Sequence, residues 1–215
     1  MMGELFLQRG NAMRIRGLAV AFGLGLALAA TGCHVDVEKD QNGQEKNVRV
    51  DTPFGGVHVR SDQTTAADLG LPVYPGAQLS ADNEGDKSAD VRLGFGQWQL
   101  HVEVVTYTTP DPQKKVIAFY KGAMGRFGDV IACQGNKAEG TPSVTSEGLT
   151  CNEDHKQVHV NGVDLNDDDS GFTLRAGSKR HQHIFVLKSS GEGTRYSLVE
   201  LELPQSDDGS GKGSD

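Results

Sequence analysis

The strictest constraint on this chain is an alternation. Val91, Leu93 and Phe95 occupy every second position up to Gly96-Gln97, and Trp98, Leu100, Val102 and Val104 resume the pattern after it. In extended backbone, successive side chains point to opposite faces, so a period of two commits the segment to half-buried strands. A glycine at the first of two loop positions suits a type II′ turn. The expectation is a β-hairpin whose inward face supplies Phe95 and Trp98 to the core, with His101 and Glu103 on a solvated outward face.

The next segment changes period. In TPDPQKKVIAFYKGAMGRFG, Val116, Tyr120, Ala123, Met124 and Phe127 form one stripe of a helix. Thr109 or Asp111 can cap it, Pro110 or Pro112 can take its first position, and Gly125 can end it. Lys114, Lys115 and Lys121 fall on the solvated side. Strands follow near 129–134, 147–151, 171–176, 182–189 and 194–203. In the last, Tyr196 and Leu198 point one way while Val199, Leu201 and Leu203 point the other, which implies a bulge or burial on both faces. The fold class this predicts is α+β: an antiparallel sheet with one main helix packed on a face.

Upstream, Val35 and Val37, Val48 and Val50, and Val57 and Val59 alternate around an Asn42-Gly43 hairpin signal and the Pro53–Gly56 turn. These strands carry too few large apolar groups to fold alone, so either they add onto the main sheet or they form a weakly ordered stalk; the preferred reading is a short β-rich tether that can dock on the domain. Residues 61–70 read as a polar linker. The expected organisation is 1–32 export segment, 33–70 tether, 71–204 α+β domain and 205–215 disordered tail; the last is rich in Gly, Ser and Asp.

The beginning of the chain fixes its address. Arg14 and Arg16 precede the apolar run GLAVAFGLGLALAAT, about 15 residues and short of the ~20 that a spanning helix needs. Met1, Met2 and Met13 are all candidate starts. The run ends in Ala30-Thr31-Gly32-Cys33, which resembles the lipobox of bacterial lipoproteins, although Ala30 stands where that family usually has Leu. The resemblance implies cleavage before Cys33, acyl chains (palmitate among them) on that residue, and stable membrane attachment. It places the protein in the cell envelope, and His34 points to the periplasmic side of the outer membrane. The alternative is an ordinary signal-peptidase cut after Ala29, releasing a soluble periplasmic protein. The segments VRVDTPFGGVHVR, YPGA and DPQKKVIAFYK are similar to stretches of uncharacterised bacterial envelope proteins, a resemblance that implies no activity.

There are three cysteines. With Cys33 lipidated, Cys133 and Cys151 remain as a pair that an oxidising compartment can join in a disulfide; two separately buried thiols are the alternative. The net charge is −8, and without the first 32 residues it is −10. Such a chain repels phosphate backbones, so no nucleic-acid partner is expected.

Groups able to do chemistry are present but scattered. His181 and His183 share a strand face, and His155 and His159 are four apart in a segment that alternates like a strand, which sets them ~13 Å apart. Asp164, Asn166, Asp168 and Ser170 are spaced like calcium ligands, but Asp169 stands where the turn needs Gly and Arg175 where the bidentate Glu belongs. No G-x-S-x-G, phosphate loop or C-x-x-C occurs. The expectation is therefore no catalytic residues, no metal and no cofactor. The chain reads as a membrane-anchored envelope module that binds an envelope protein or glycan or serves as a structural subunit. An anchored metal-dependent hydrolase using the His155–His183 region is the alternative.

Overall fold

The computed structural model describes residues 33–39, 41, 45–80, 87–152, 159–160, 163–164, 171–188 and 193–204. The chain divides after Cys33, and the fold below is that of His34–Asp215. Its strands in chain order are β1 (His34–Lys39), β2 (Glu45–Thr52), β3 (Gly55–Ser61), β4 (Gln78–Leu79), β5 (Ser88–Phe95), β6 (Trp98–Thr109), β7 (Ile131–Gln134), β8 (Lys137–Ala138), β9 (His159–Val160), β10 (Val163–Asp164), β11 (Phe172–Gly177), β12 (His181–Lys188) and β13 (Thr194–Glu202). Helix α1 (Gln113–Met124) runs into a 3-10 turn at Gly125–Phe127.

Eleven strands form one antiparallel sheet in the order β1-β2-β3-β5-β6-β13-β12-β11-β7-β8, with β4 pairing onto β6. This corrects the expected fold class. Among the described residues the protein is a β-rich fold, eleven strands in one sheet with a single short helix, not a balanced α+β domain preceded by a tether. The reason is that β3 is not left as a stalk: Val57 opposes Leu93 and Val59 opposes Val91, in unbroken register with the central hairpin. Their alternation is weak as an isolated hairpin but sufficient beside an existing strand.

The sheet is buried on both faces at its centre. On one face α1 lays down Val116, Tyr120 and Met124, all fully buried, against Val105, Tyr107, Leu174, Phe185, Tyr196 and Leu198. Each such side chain contributes roughly 1.5–3 kcal/mol. Pro112 occupies the N-cap, and Thr109 accepts the Asp111 N–H in the turn before it. The Tyr120 hydroxyl lies 3.1 Å from both the Pro72 carbonyl and the Tyr196 hydroxyl and accepts the Tyr74 N–H at 3.2 Å. On the other face Val102, Val104, Ile184, Val186, Val199 and Leu201 form a second cluster. The phase change in β13 is thus burial on both faces, since its pairing to β6 and β12 runs without a slip.

Three further expectations are revised. Residues 61–70 are no linker: Ala66 and Leu69 are fully buried beneath α1, and the Ala66 N–H donates to the Tyr107 hydroxyl. Residues 147–151 form no strand; Thr145 closes a turn by accepting the Gly148 and Leu149 N–H groups. That turn is tied down by a Cys133–Cys151 disulfide with Cα atoms 5.6 Å apart, packed with Ile131 and Leu149. Closing a loop of that length stabilises on the order of 3 kcal/mol. Finally, Phe95 and Trp98 are not core groups. They pair with each other at an exposed hairpin tip, their centroids 5.9 Å apart. The 205–215 tail and the Asn42-Gly43 turn lie outside the described residues.

Candidate functional site

The side of the sheet that carries α1 is not apolar throughout. Beyond the helix, pairing brings polar residues into two adjacent rows that cross seven strands. One runs Glu38, Asn47, Arg60, Asp90, Glu103, Glu200, His183; the next runs Asp36, Arg49, His58, Arg92, His101, Glu202, His181. Each residue stands directly opposite the next, at the spacing where cross-strand side chains interact. Register alone therefore builds the strip, from residues that in sequence are far apart.

Its middle is crowded with carboxylates. Asp90 and Glu103 are buried and adjacent in the row, and Glu200 follows. Arg92 Nε donates to Asp90 Oδ1 at 3.1 Å, and the Arg92 guanidinium lies 3.7 Å from Glu103. His101 Nε2 is 3.0 Å from Asp90 Oδ1 and 3.4 Å from Glu103 Oε1. Burial pushes the Glu103 carboxyl above its ordinary range. Asp90 and Glu200 push the same way, while His101 and Arg92 oppose them. The centre of the strip is thus short of positive charge.

A second group lies one strand pair further on. His181 Nε2 is 2.6 Å from Glu200 Oε1 and 3.9 Å from Glu202 Oε1. His183 is buried between Phe127, stacked on it at 3.5 Å between centroids, and His181 at 5.2 Å. Burial holds His183 neutral, with its pKa lowered to about 4; His181 and Arg126 add to this, and Glu200 and the Leu69 backbone work against it. Its buried Nδ1 has no hydrogen-bond partner among the described residues. These groups line a depression of about 410 Å³ that also takes in Asp68, Gly70 and Ser178. A second depression of about 470 Å³, over Asp90, His101 and Glu103, adjoins it through Asp68 and Glu200.

Among the described residues, two sets could hold a metal ion: His181, His183 and Glu200, and Asp90, His101 and Glu103. Within each set the donor atoms lie within 4.8 Å of one another. Imidazole with carboxylate suits zinc and other first-row divalent ions, and a neutral imidazole is the form that binds.

The sequence had paired His181 with His183 on one strand face, and the structure keeps them together. It missed Glu200, their partner from β13, and read His101 and Glu103 as solvated. The available signal was register: once β13 pairs with β12, Glu200 must oppose His183. His159 stands apart in a two-stranded sheet with β10, paired to Asp164. His155 and the spaced oxygens Asn166, Asp168 and Ser170 lie outside the described residues. Cys33 is exposed and unpaired. No helix among the described residues is long and apolar enough to cross a membrane. No family model, curated protein or solved structure matches the chain.

Proposed function

We propose that this is an envelope lipoprotein, anchored through acyl chains on Cys33, that works as a binding module rather than as an enzyme, and that its ligand is a divalent transition-metal ion taken at His181, His183 and Glu200. The observation that carries the reading is the strip: histidines and carboxylates converge in register where α1 stops covering the sheet. A neutral, stacked His183 and an undercompensated row of carboxylates favour an incoming cation. The anchor rests on the apolar run and the Ala30–Cys33 motif, and the Cys133–Cys151 bond suits an oxidising compartment.

The experiment is titration of the purified chain, stripped of metal, with Zn²⁺ under calorimetric detection. One equivalent should bind, and Glu200→Gln or His181→Ala should weaken it by at least about 10-fold, since losing even a residue that only supports a ligand costs roughly 10–100-fold. Lack of saturable uptake, or unaltered uptake by both variants, refutes the site. The anchor is tested separately: Cys33→Ser should abolish acyl labelling and release the protein from the membrane fraction, and membrane association without acyl label refutes it.

A further inference from the structure

Among the large apolar groups left exposed, the three aromatic ones fall at one end of the sheet. Phe54, Phe95 and Trp98 are 83%, 53% and 40% exposed, and they sit on two neighbouring turns. Thr52 opposes Gly55 across the β2–β3 turn, Gly55 opposes Phe95, and Phe95 opposes Trp98 across the β5–β6 turn. Gly55 is what lets the turns approach: a β-carbon there would collide with the Gly94 carbonyl and the Phe95 ring. The three aromatic residues therefore lie at one end of the sheet, Phe95 and Trp98 against each other and Phe54 on the adjoining turn.

The same end receives the start of β1. His34, its first residue, opposes Asp51, one residue before Thr52. Cys33 is joined to His34 by one peptide bond, so its α-carbon lies ~3.8 Å from that of His34. An acyl group on Cys33 would leave the chain at the end of the sheet where the three aromatic residues lie.

We infer that Phe54, Phe95 and Trp98 form a membrane-docking tip, which enters the headgroup region of a lipid bilayer and holds the sheet end-on to the surface. This rests on the anchoring proposed above. Tryptophan favours the interface, where its ring is apolar at one end and wet at the other, and a neighbouring phenylalanine adds apolar surface that can enter it. The attraction is apolar and not electrostatic, because a chain of net −10 after the export segment gains nothing from anionic lipid. A tethered tip meets the membrane at high effective concentration, so a weak contact suffices. Docking this end would keep the histidine–carboxylate rows edge-on to the bilayer instead of buried against it.

Trp98 is the single tryptophan of the chain, so it reports the contact directly. Full-length, acylated protein is reconstituted in vesicles of phosphatidylethanolamine and phosphatidylglycerol, with and without lipids brominated on their acyl chains. Docking predicts a blue-shifted emission, a roughly twofold loss of intensity with brominated lipid, and protection from aqueous iodide. Phe54→Ser, on a fully solvated turn, should lower the bromolipid quenching without altering acyl labelling. If the protein is acylated and vesicle-bound but Trp98 is as open to iodide as in Cys33→Ser protein in buffer, the docking is wrong and the anchor stands. Absence of acyl label on Cys33 overturns the anchor instead. Shielding of Trp98 in whole envelopes without bromolipid quenching in vesicles overturns lipid docking in favour of a protein partner.

Discussion

Strands β6, β12 and β13 change character halfway along one face. In one half they set Val105 and Tyr107, Phe185, and Tyr196 and Leu198 against α1. In the other half, on the same face, they set His101 and Glu103, His181 and His183, and Glu200 and Glu202. The ladder of backbone hydrogen bonds is continuous, so pairing does not separate the halves; the cover does. Glu103 is buried to 9% exposure where Val105 has none, yet it keeps a carboxyl whose charge burial disfavours. A residue serving stability alone at that depth would be apolar, because a buried ion rarely recovers its desolvation energy. The covered half holds the fold together, and the open half bears the groups that the fold carries at a loss.

The largest test sets neighbours against each other. Leu198 and Glu200 sit two residues apart on one strand and one face. Leu198→Ala removes a fully buried side chain beneath α1 and should cost about 3 kcal/mol, read from urea unfolding at pH 7. Glu200→Gln should stay within ~1 kcal/mol while weakening Zn²⁺ binding. If Glu200→Gln destabilises as much as Leu198→Ala, the open half is structural and the division fails.

The two halves were unequally legible in the sequence. Val116, Tyr120 and Met124 announce a helix face by their spacing, and Leu93 to Val104 announce a hairpin, because local periodicity is what an amphipathic element imposes. Phe95 and Trp98 misled, since alternation fixes which side a residue takes but not whether that end of the strand is covered. The segment 61–70 misled for the opposite reason: Ala66 and Leu69 carry no periodic signal, and their burial depends on α1 arriving from fifty residues away. The strip was the least legible. Its residues come from distant strands, and only the order β3-β5-β6-β13-β12 places Arg60, Asp90, Glu103, Glu200 and His183 in line.

Acid should act through the open half. His183 is held neutral with its pKa near 4, while in the unfolded chain it titrates at its ordinary value of 6.5. Between those values the unfolded state binds the proton and the folded state does not, so stability falls as pH drops from about 6.5 to 4. The groups facing it are His181 and Glu200 from the sheet, Arg126 from the turn after α1, and Asp68 across the depression. For the metal-free protein the loss should be roughly 1–2 kcal/mol, a discounted figure because one side of the ring borders the solvated depression. His183→Gln should flatten that slope, whereas Tyr120→Phe, in the covered half, should lower stability by about 1 kcal/mol at every pH in the window. An unchanged acid slope in His183→Gln would place the titrating group elsewhere.

Glu103 should behave with the opposite sign, and its effect is the smallest. Its folded pKa is raised above its unfolded value of 4.5, so the folded state binds the proton more readily. Stability from this group therefore increases as pH falls through the raised value and is complete below 4.5. Above the raised value both states are ionised and the fold bears the penalty of a buried charge beside Asp90 and Glu200. Glu103→Gln keeps the shape and removes that charge, so it should leave the protein unchanged or stabilise it by up to ~1 kcal/mol. The gain should disappear below pH 4.5, where Glu103 is itself neutral. A loss of more than ~1 kcal/mol in Glu103→Gln would mean that Arg92 and His101 fully compensate the carboxylate. The strip would then be a structural ion-pair network rather than a face short of positive charge, and the case for a cation ligand would weaken with it.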